Sequence, residues 1–201
     1  MLSNPKPNPT YTVEEYLAIE AETGIKHEYI DGEIYMMSGG TFRHSRIIFN
    51  LGLTLGTQLR GKPCQGLESN MRVKVSETRY VYPDLSVVCG EPQFSDDNQT
   101  MLTNPTMVVE VLSSSSEQRD MVTKMSLYRN IESVRTYLII KQDTAHVMLY
   151  IRQDDGWLLR DYIGLDATVP LDVIACQLPL SELYETVTLD DETAPDADTE
   201  A

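Results

Sequence analysis

The sequence predicts an α/β (α+β) domain, with a mixed β-sheet and helices inserted between its strands. Three observations carry this. Short β-branched runs recur, among them Met107–Leu112 (MVVEVL) and Tyr82–Val88 (YPDLSVV). Two longer stretches repeat apolar residues at helical spacing. The two patterns interleave along the chain instead of segregating, which favours a mixed sheet over separate all-α and all-β halves. At 201 residues the chain is long enough for one domain with a sizeable core.

Residues 1–10 are proline-rich and are expected to be extended, ahead of a domain spanning 11–187. Thr12-Val-Glu-Glu15 has the pattern of a capping box, and Gly24 is placed to end the helix it starts. Lys26–Met37 reads as a hairpin turning at Asp31-Gly32. Ile48, Leu51, Leu55 and Leu59 recur at helical spacing over about 42–60, and Gly61 and Pro63 stop that helix. Strands are expected at Met71–Val75 and Val81–Val88, then a polar loop over 91–104, and then the strand containing Glu110. After Ser113–Ser116 a helix follows from about Glu117 to Asn130. Further strands are expected at Val134–Lys141, Ala145–Arg152 and Trp157–Ile163, with a helical turn at Pro179–Glu185. Residues 188–201 read as an acidic disordered tail with almost nothing to bury.

The net charge is −15, and six acids follow Leu189, so the remainder still carries about −9. That excludes broad electrostatic attraction to nucleic acid, although a bound cation could reverse the sign locally. The longest apolar runs are too short to span a bilayer, and residues 1–10 have no apolar signal region, so no membrane association and a cytoplasmic location are expected. Cys64, Cys89 and Cys176 are odd in number and widely spaced. Free thiols are the expectation.

Five charged or titratable residues stand out against this apolar background. Glu110 lies in a strand whose two faces both read as buried, so it needs a cation, a metal or several donors nearby. A buried ion pair is the plainer alternative to a metal ligand. Asp84 shares a strand face with Tyr82 and Ser86, or is simply solvent-facing after its proline. Lys124 falls inside the helical stripe of Met121, Met125, Tyr128 and Ile131, where it either meets an acid or snorkels outward, with Asp120 a local candidate partner. His44 begins the apolar face of the earlier helix, as a site residue or a core-edge histidine. Glu28 shares strand parity with Ile30 and so turns inward. The spacing of His and Cys suits no zinc site, and neither a nucleotide-binding glycine loop nor a G-x-S-x-G elbow occurs. Two strand acids with one inward lysine suit a metal-dependent phosphodiester site.

Taken together, Glu28 in HEYIDGEI, His44, Pro83-Asp84, Glu110 in VVEVLS, and Lys124 with Tyr128 resemble the Uma family (DUF820-type) of restriction-endonuclease-like proteins. The likeness runs from about Tyr11 to Leu183. It implies the PD-(D/E)XK nuclease fold, a mixed central sheet flanked by helices, here with an additional N-terminal hairpin. It also implies a Mg²⁺- or Mn²⁺-dependent endonuclease acting on DNA, with Asp84, Glu110 and the Val111 carbonyl holding the metal. Lys124 would be catalytic, with Glu28 and His44 lining the site, and a homodimer is a further expectation. The motif lysine position is occupied by Leu112, so Lys124 would have to supply that charge from the helix. The alternative is an inactive nuclease-fold binding module.

Overall fold

A computed structural model of the chain describes residues 10–37, 39–112 and 117–190, with the side chains of 117–122 left aside. The extended segment and most of the tail expected from the sequence, the serine run Ser113–Ser116, and the side chains of Asp120 and Met121 therefore lie outside the described residues. Leu189 packs against the core, and the Asp190 amide donates to the Asp143 carbonyl. Among the described residues no helix is long and apolar enough to cross a membrane.

The first helix, α1 (Val13–Thr23), has the expected capping box at Thr12 and Glu15 and ends on Gly24 in the left-handed region. The hairpin follows as β1 (His27–Ile30) and β2 (Glu33–Met36), turning through Asp31 and Gly32, both at positive φ. Next come α2 (Phe42–Leu59), β3 (Cys64–Glu68), β4 (Arg72–Ser76), β5 (Arg79–Val81), β6 (Leu85–Cys89) and the short β7 (Met101–Leu102). The remainder is β8 (Met107–Leu112), α3 (Glu117–Tyr128), β9 (Thr136–Lys141), β10 (His146–Gln153), β11 (Gly156–Ile163), β12 (Thr168–Leu171), β13 (Cys176–Pro179) and α4 (Leu180–Leu183).

Two sheets organise the molecule. One runs β2-β1-β5-β4-β7 and the other β11-β10-β9-β8-β6-β3, with β12-β13 as a separate ribbon. β8 is the hinge of the second sheet, antiparallel to β6 and parallel to β9, with α3 making the crossover that a parallel pair requires. Every residue of β8 is buried, as its continuous apolar run implies. Its odd residues Met107, Val109 and Val111 join Ile47, Leu51 and Leu55 of α2. Its even residues Val108 and Leu112 join Leu127 and Tyr128 of α3. In α2 it is Ile47 that is fully buried beside Leu51, while Ile48 is only partly buried.

Two expectations are corrected. The run Val81–Val88 is two strands, because Pro83 has no N–H for a ladder and restrains Tyr82. The chain leaves one sheet after β5 and joins the other at β6, so Tyr82, Pro83 and Asp84 form the seam between them. The cysteines are not all free thiols. Cys64 and Cys89 form a disulfide across the β3–β6 pair, and only Cys176 is a free, buried cysteine. The polar sequence of β3, CQGLE, gave no strand signal, so nothing placed Cys64 opposite Cys89.

Candidate active site

The seam brings the two strand acids together. Leu85 pairs with Val109 in the β6–β8 ladder, so the next step of the register sets Asp84 opposite Glu110. Asp84 shares the parity of Ser86 and Val88, and Glu110 that of Val108 and Leu112, so both carboxylates face the α3 side of the sheet. Past the end of the ladder the Asp84 side chain takes over from backbone: its Oδ2 accepts the Val111 N–H at 2.7 Å. Asp84 is only 9% exposed and Glu110 5%. That removes the solvent-facing alternative for Asp84.

Lys124 answers Glu110 from α3. Its ammonium lies 3.1 Å from Glu110 Oε1 and also donates to Glu28 Oε1. It therefore meets acids and does not snorkel. One helical turn on, the Tyr128 hydroxyl donates to Glu110 Oε1. Glu28 reaches the group from β1, and its Oε1 also accepts the Tyr82 N–H at 3.4 Å. His44 sits in the first turn of α2, where its own N–H caps onto Thr41, and its Nε2 lies 3.3 Å from both Asp84 oxygens. Gly40 makes room for that ring, since a Cβ there would fall 2.5 Å from His44 Nδ1.

The electrostatics follow from burial and crowding. Burial pushes the Glu110 carboxyl up to about 7; Lys124 opposes this, Asp84 and Glu28 add to it, and the Tyr128 hydrogen bond opposes it. Burial alone would lower the Lys124 ammonium, but Glu110 and Glu28 outweigh it and hold it above the ordinary lysine range. The hydrogen bond to Asp84 raises the His44 imidazole against its own burial, with Asp84 and Glu110 charges adding. Burial, reinforced by Glu110 and Glu28, keeps Tyr128 neutral, with its phenol well above its usual value.

These residues floor a cavity of about 410 Å³ whose walls include Tyr35, Met36, Thr41, Tyr82, Leu112 and Gln142. Thr41 Oγ1 donates to Gln142 Oε1 at 2.6 Å, tying the start of α2 to the segment after β9. All five side chains expected at the site from the sequence, Glu28, His44, Asp84, Glu110 and Lys124, line this one cavity, and Val111 joins them through its backbone. Sequence reasoning missed the Tyr128 bond to Glu110, the Tyr82 backbone contact and the walls from Tyr35 and Gln142.

The donor set suits a hard cation. Among the described residues no group of three or more His, Cys, Asp or Glu side chains is placed to hold a metal ion. Asp84 and Glu110 offer adjacent carboxylates beside an open cavity, which fits an ion such as Mg²⁺ that keeps several waters and takes one or two protein carboxylates.

Comparison with known proteins gives the family and the fold. The Uma2 family model, described as "Putative restriction endonuclease", matches residues 13–181. The chain belongs to the Uma2 family. Two uncharacterized Synechocystis sp. (strain ATCC 27184 / PCC 6803 / Kazusa) proteins are similar to it. The protein sll1609 is 36% identical over 160 residues, covering 79% of this chain and 90% of its own length. The protein slr1290 is 37% identical over 162 residues, covering 80% and 84%. A crystal structure described as a putative nuclease belonging to DUF820, from Anabaena variabilis, superposes with a TM-score of 0.71. It does so at 20% identity, covering 86% of this chain and 97% of its own, and shares the fold. In this Uma2 chain Leu112, at the expected lysine position, is buried against the α3 core and edges the cavity.

Proposed function

We propose that this Uma2 protein is a Mg²⁺- or Mn²⁺-dependent endonuclease that hydrolyses DNA phosphodiester bonds. The observation that carries the reading is the meeting of Asp84, Glu110 and Lys124 at the floor of one open cavity, with acid in excess. Asp84 and Glu110, with the Val111 carbonyl, would hold the ion. Once bound, it would supply an activated water and offset charge developing on the phosphate. His44 fixes Asp84 through its hydrogen bond, and Tyr128 fixes Glu110, so both carboxylates are oriented before any ion arrives. Lys124 would exchange part of its contact with Glu28 and Glu110 for a phosphate oxygen or the attacking water. It would thereby stand in for the lysine replaced by Leu112.

One observation favours a second reading, an inactive binding module. Glu28 and Glu110 already share Lys124, and an ion pair of this kind can be purely structural. Cleavage of a mixed DNA and RNA panel with Mg²⁺ and with Mn²⁺ separates the two. The nuclease reading expects metal-dependent cleavage of DNA that is absent from Glu110→Ala. Cleavage insensitive to chelator, or equal in Glu110→Ala, would contradict it, and no cleavage at all would favour the module.

A further inference from the structure

We propose that the cavity takes DNA as an unpaired strand, with a base stacked on Tyr35, so that single-stranded DNA is preferred over duplex. This rests on the phosphodiesterase reading above and names the substrate class of that same site.

The first ground is placement. Tyr35 pairs with Glu28 across the hairpin, and directly opposite residues project to the same side of a sheet. Tyr35 therefore stands beside the carboxylate that holds Lys124, and both Tyr35 and Met36 line the cavity floored by Asp84 and Glu110. The Tyr35 hydroxyl donates to Glu33, anchoring the tip of the ring on its own strand. Tyr35 is 36% exposed and Met36 68%, on the outer strand of its sheet, so neither serves mainly to fill the core. An aromatic ring at the mouth of a phosphodiester site matches the π-face that every base carries.

The second ground is charge. Duplex DNA presents about one charge per 1.7 Å and is held mainly through phosphates. The chain carries −15, and several of its cations are already engaged. Lys124 is held by Glu28 and Glu110, Arg43 by Asp190 at 2.7 Å, and Lys26 by the Ser69 carbonyl and Asn70. Contacts that do not need cations then carry more of the affinity, and stacking on unpaired bases is such a contact. The third ground is depth. The two carboxylates are buried at the cavity floor, so the scissile phosphate has to descend to them. A flexible single strand can bend inward and turn its base onto the rim, whereas a paired strand must first unstack.

The test uses the full chain and a fluorescently labelled oligodeoxynucleotide, alone and annealed to its complement. Binding is read by anisotropy in EDTA, and cleavage is read with Mg²⁺. The single strand should bind about tenfold tighter than the duplex, and Tyr35→Ala should lose about tenfold of that affinity. Tyr35→Phe, which keeps the ring, should stay within about twofold, and folding of each variant is checked by circular dichroism. In cleavage, Tyr35→Ala should raise KM and leave kcat nearly unchanged, since the ring binds a neighbouring base and not the reacting phosphate. Equal binding of both DNAs, or a folded Tyr35→Ala that binds like wild type, would overturn the proposal. So would a dimer that dissociates in Met36→Ala while DNA affinity stays unchanged, because the rim would then belong to a second copy. Cleavage of both DNAs alike would overturn the strand preference and leave the nuclease reading standing. Cleavage of neither would remove the nuclease reading, and the EDTA binding comparison would still decide the strand preference.

Discussion

Two buried acid–base clusters lie on either side of Tyr82, and they are built differently. Beneath α1, Glu20 faces Arg72, and its oxygens also accept the Tyr82 hydroxyl and the His27 N–H at 2.6 Å. The Arg72 guanidinium is further held by Tyr82 Oη and lies over the Tyr16 and Tyr82 rings. One acid meets one cation, donors surround the acid, and the Tyr82 hydroxyl accepts from the cation. Across the seam, Glu28, Asp84 and Glu110 share one lysine and one histidine. The first cluster is neutral and saturated, as a structural ion pair must be to survive burial. Both clusters border open volume, about 450 Å³ beside the first and about 410 Å³ beside the second, but the second holds surplus negative charge. Burial of charge alone does not mark a functional site. Uncompensated charge beside open volume is the distinguishing feature.

That contrast predicts opposite phenotypes. Lys124→Met keeps most of the stem on an apolar helix face, so the fold should persist while cleavage falls by about 100-fold or more. Kinetics alongside a thermal melt checks this, and a folded variant that cleaves like wild type would break the distinction. Glu20→Gln should do the reverse. Leaving Arg72 buried without its anion should cost about 3 kcal/mol of stability, read by denaturant unfolding, with kcat within about threefold of wild type. A large kcat loss without destabilisation would show that the two clusters act as one.

The pH response sharpens the same comparison with a smaller effect. The Glu110 carboxyl is raised from 4.5 to about 7, so the fold favours its protonated form. That contribution is complete below 4.5 and is lost as pH rises through about 7. The raised His44 acts in the same direction, stabilising below its ordinary 6.5 and fading as pH passes its elevated value. Metal ligation instead needs ionised Glu110, so in the nuclease reading the cleavage rate should rise towards pH 7 while stability falls. Denaturant unfolding of wild type and Glu110→Gln at about pH 5 and about pH 8 checks the sign, the gap narrowing or reversing at the higher pH. A stability difference independent of pH would contradict the assignment to Glu110.

Much of the second cluster was legible in the sequence, because each member broke a pattern. Glu110 interrupted a buried strand, Lys124 an apolar helical stripe, and His44 the start of another. Asp84 was legible through its parity with Ser86, but the seam that makes it a neighbour of Glu110 was not, since Tyr82–Val88 read as one continuous strand. The first cluster was invisible. Glu20 lies on a short helix where an acid looks solvated, and Arg72 begins a strand whose alternation is weak, so only tertiary contact reveals their pairing. Tyr35 and Met36 were hidden for a related reason: a four-residue hairpin strand has too few positions for parity to say which face is wet. The Cys64–Cys89 bridge depended on β3, a strand without β-branched residues.

Asp84 and Glu110 are proposed here as a divalent-cation site, and Glu20 is not. Calorimetric titration of Mg²⁺ and Mn²⁺ into wild type, Asp84→Ala, Lys124→Met and Glu20→Gln tests it without requiring a substrate. Wild type and Glu20→Gln should bind alike, Asp84→Ala should lose binding by about tenfold or more, and Lys124→Met should bind as tightly as wild type or tighter, because a competing positive charge has gone. Absence of binding by wild type, or an Asp84→Ala variant that binds as wild type does, would contradict the account.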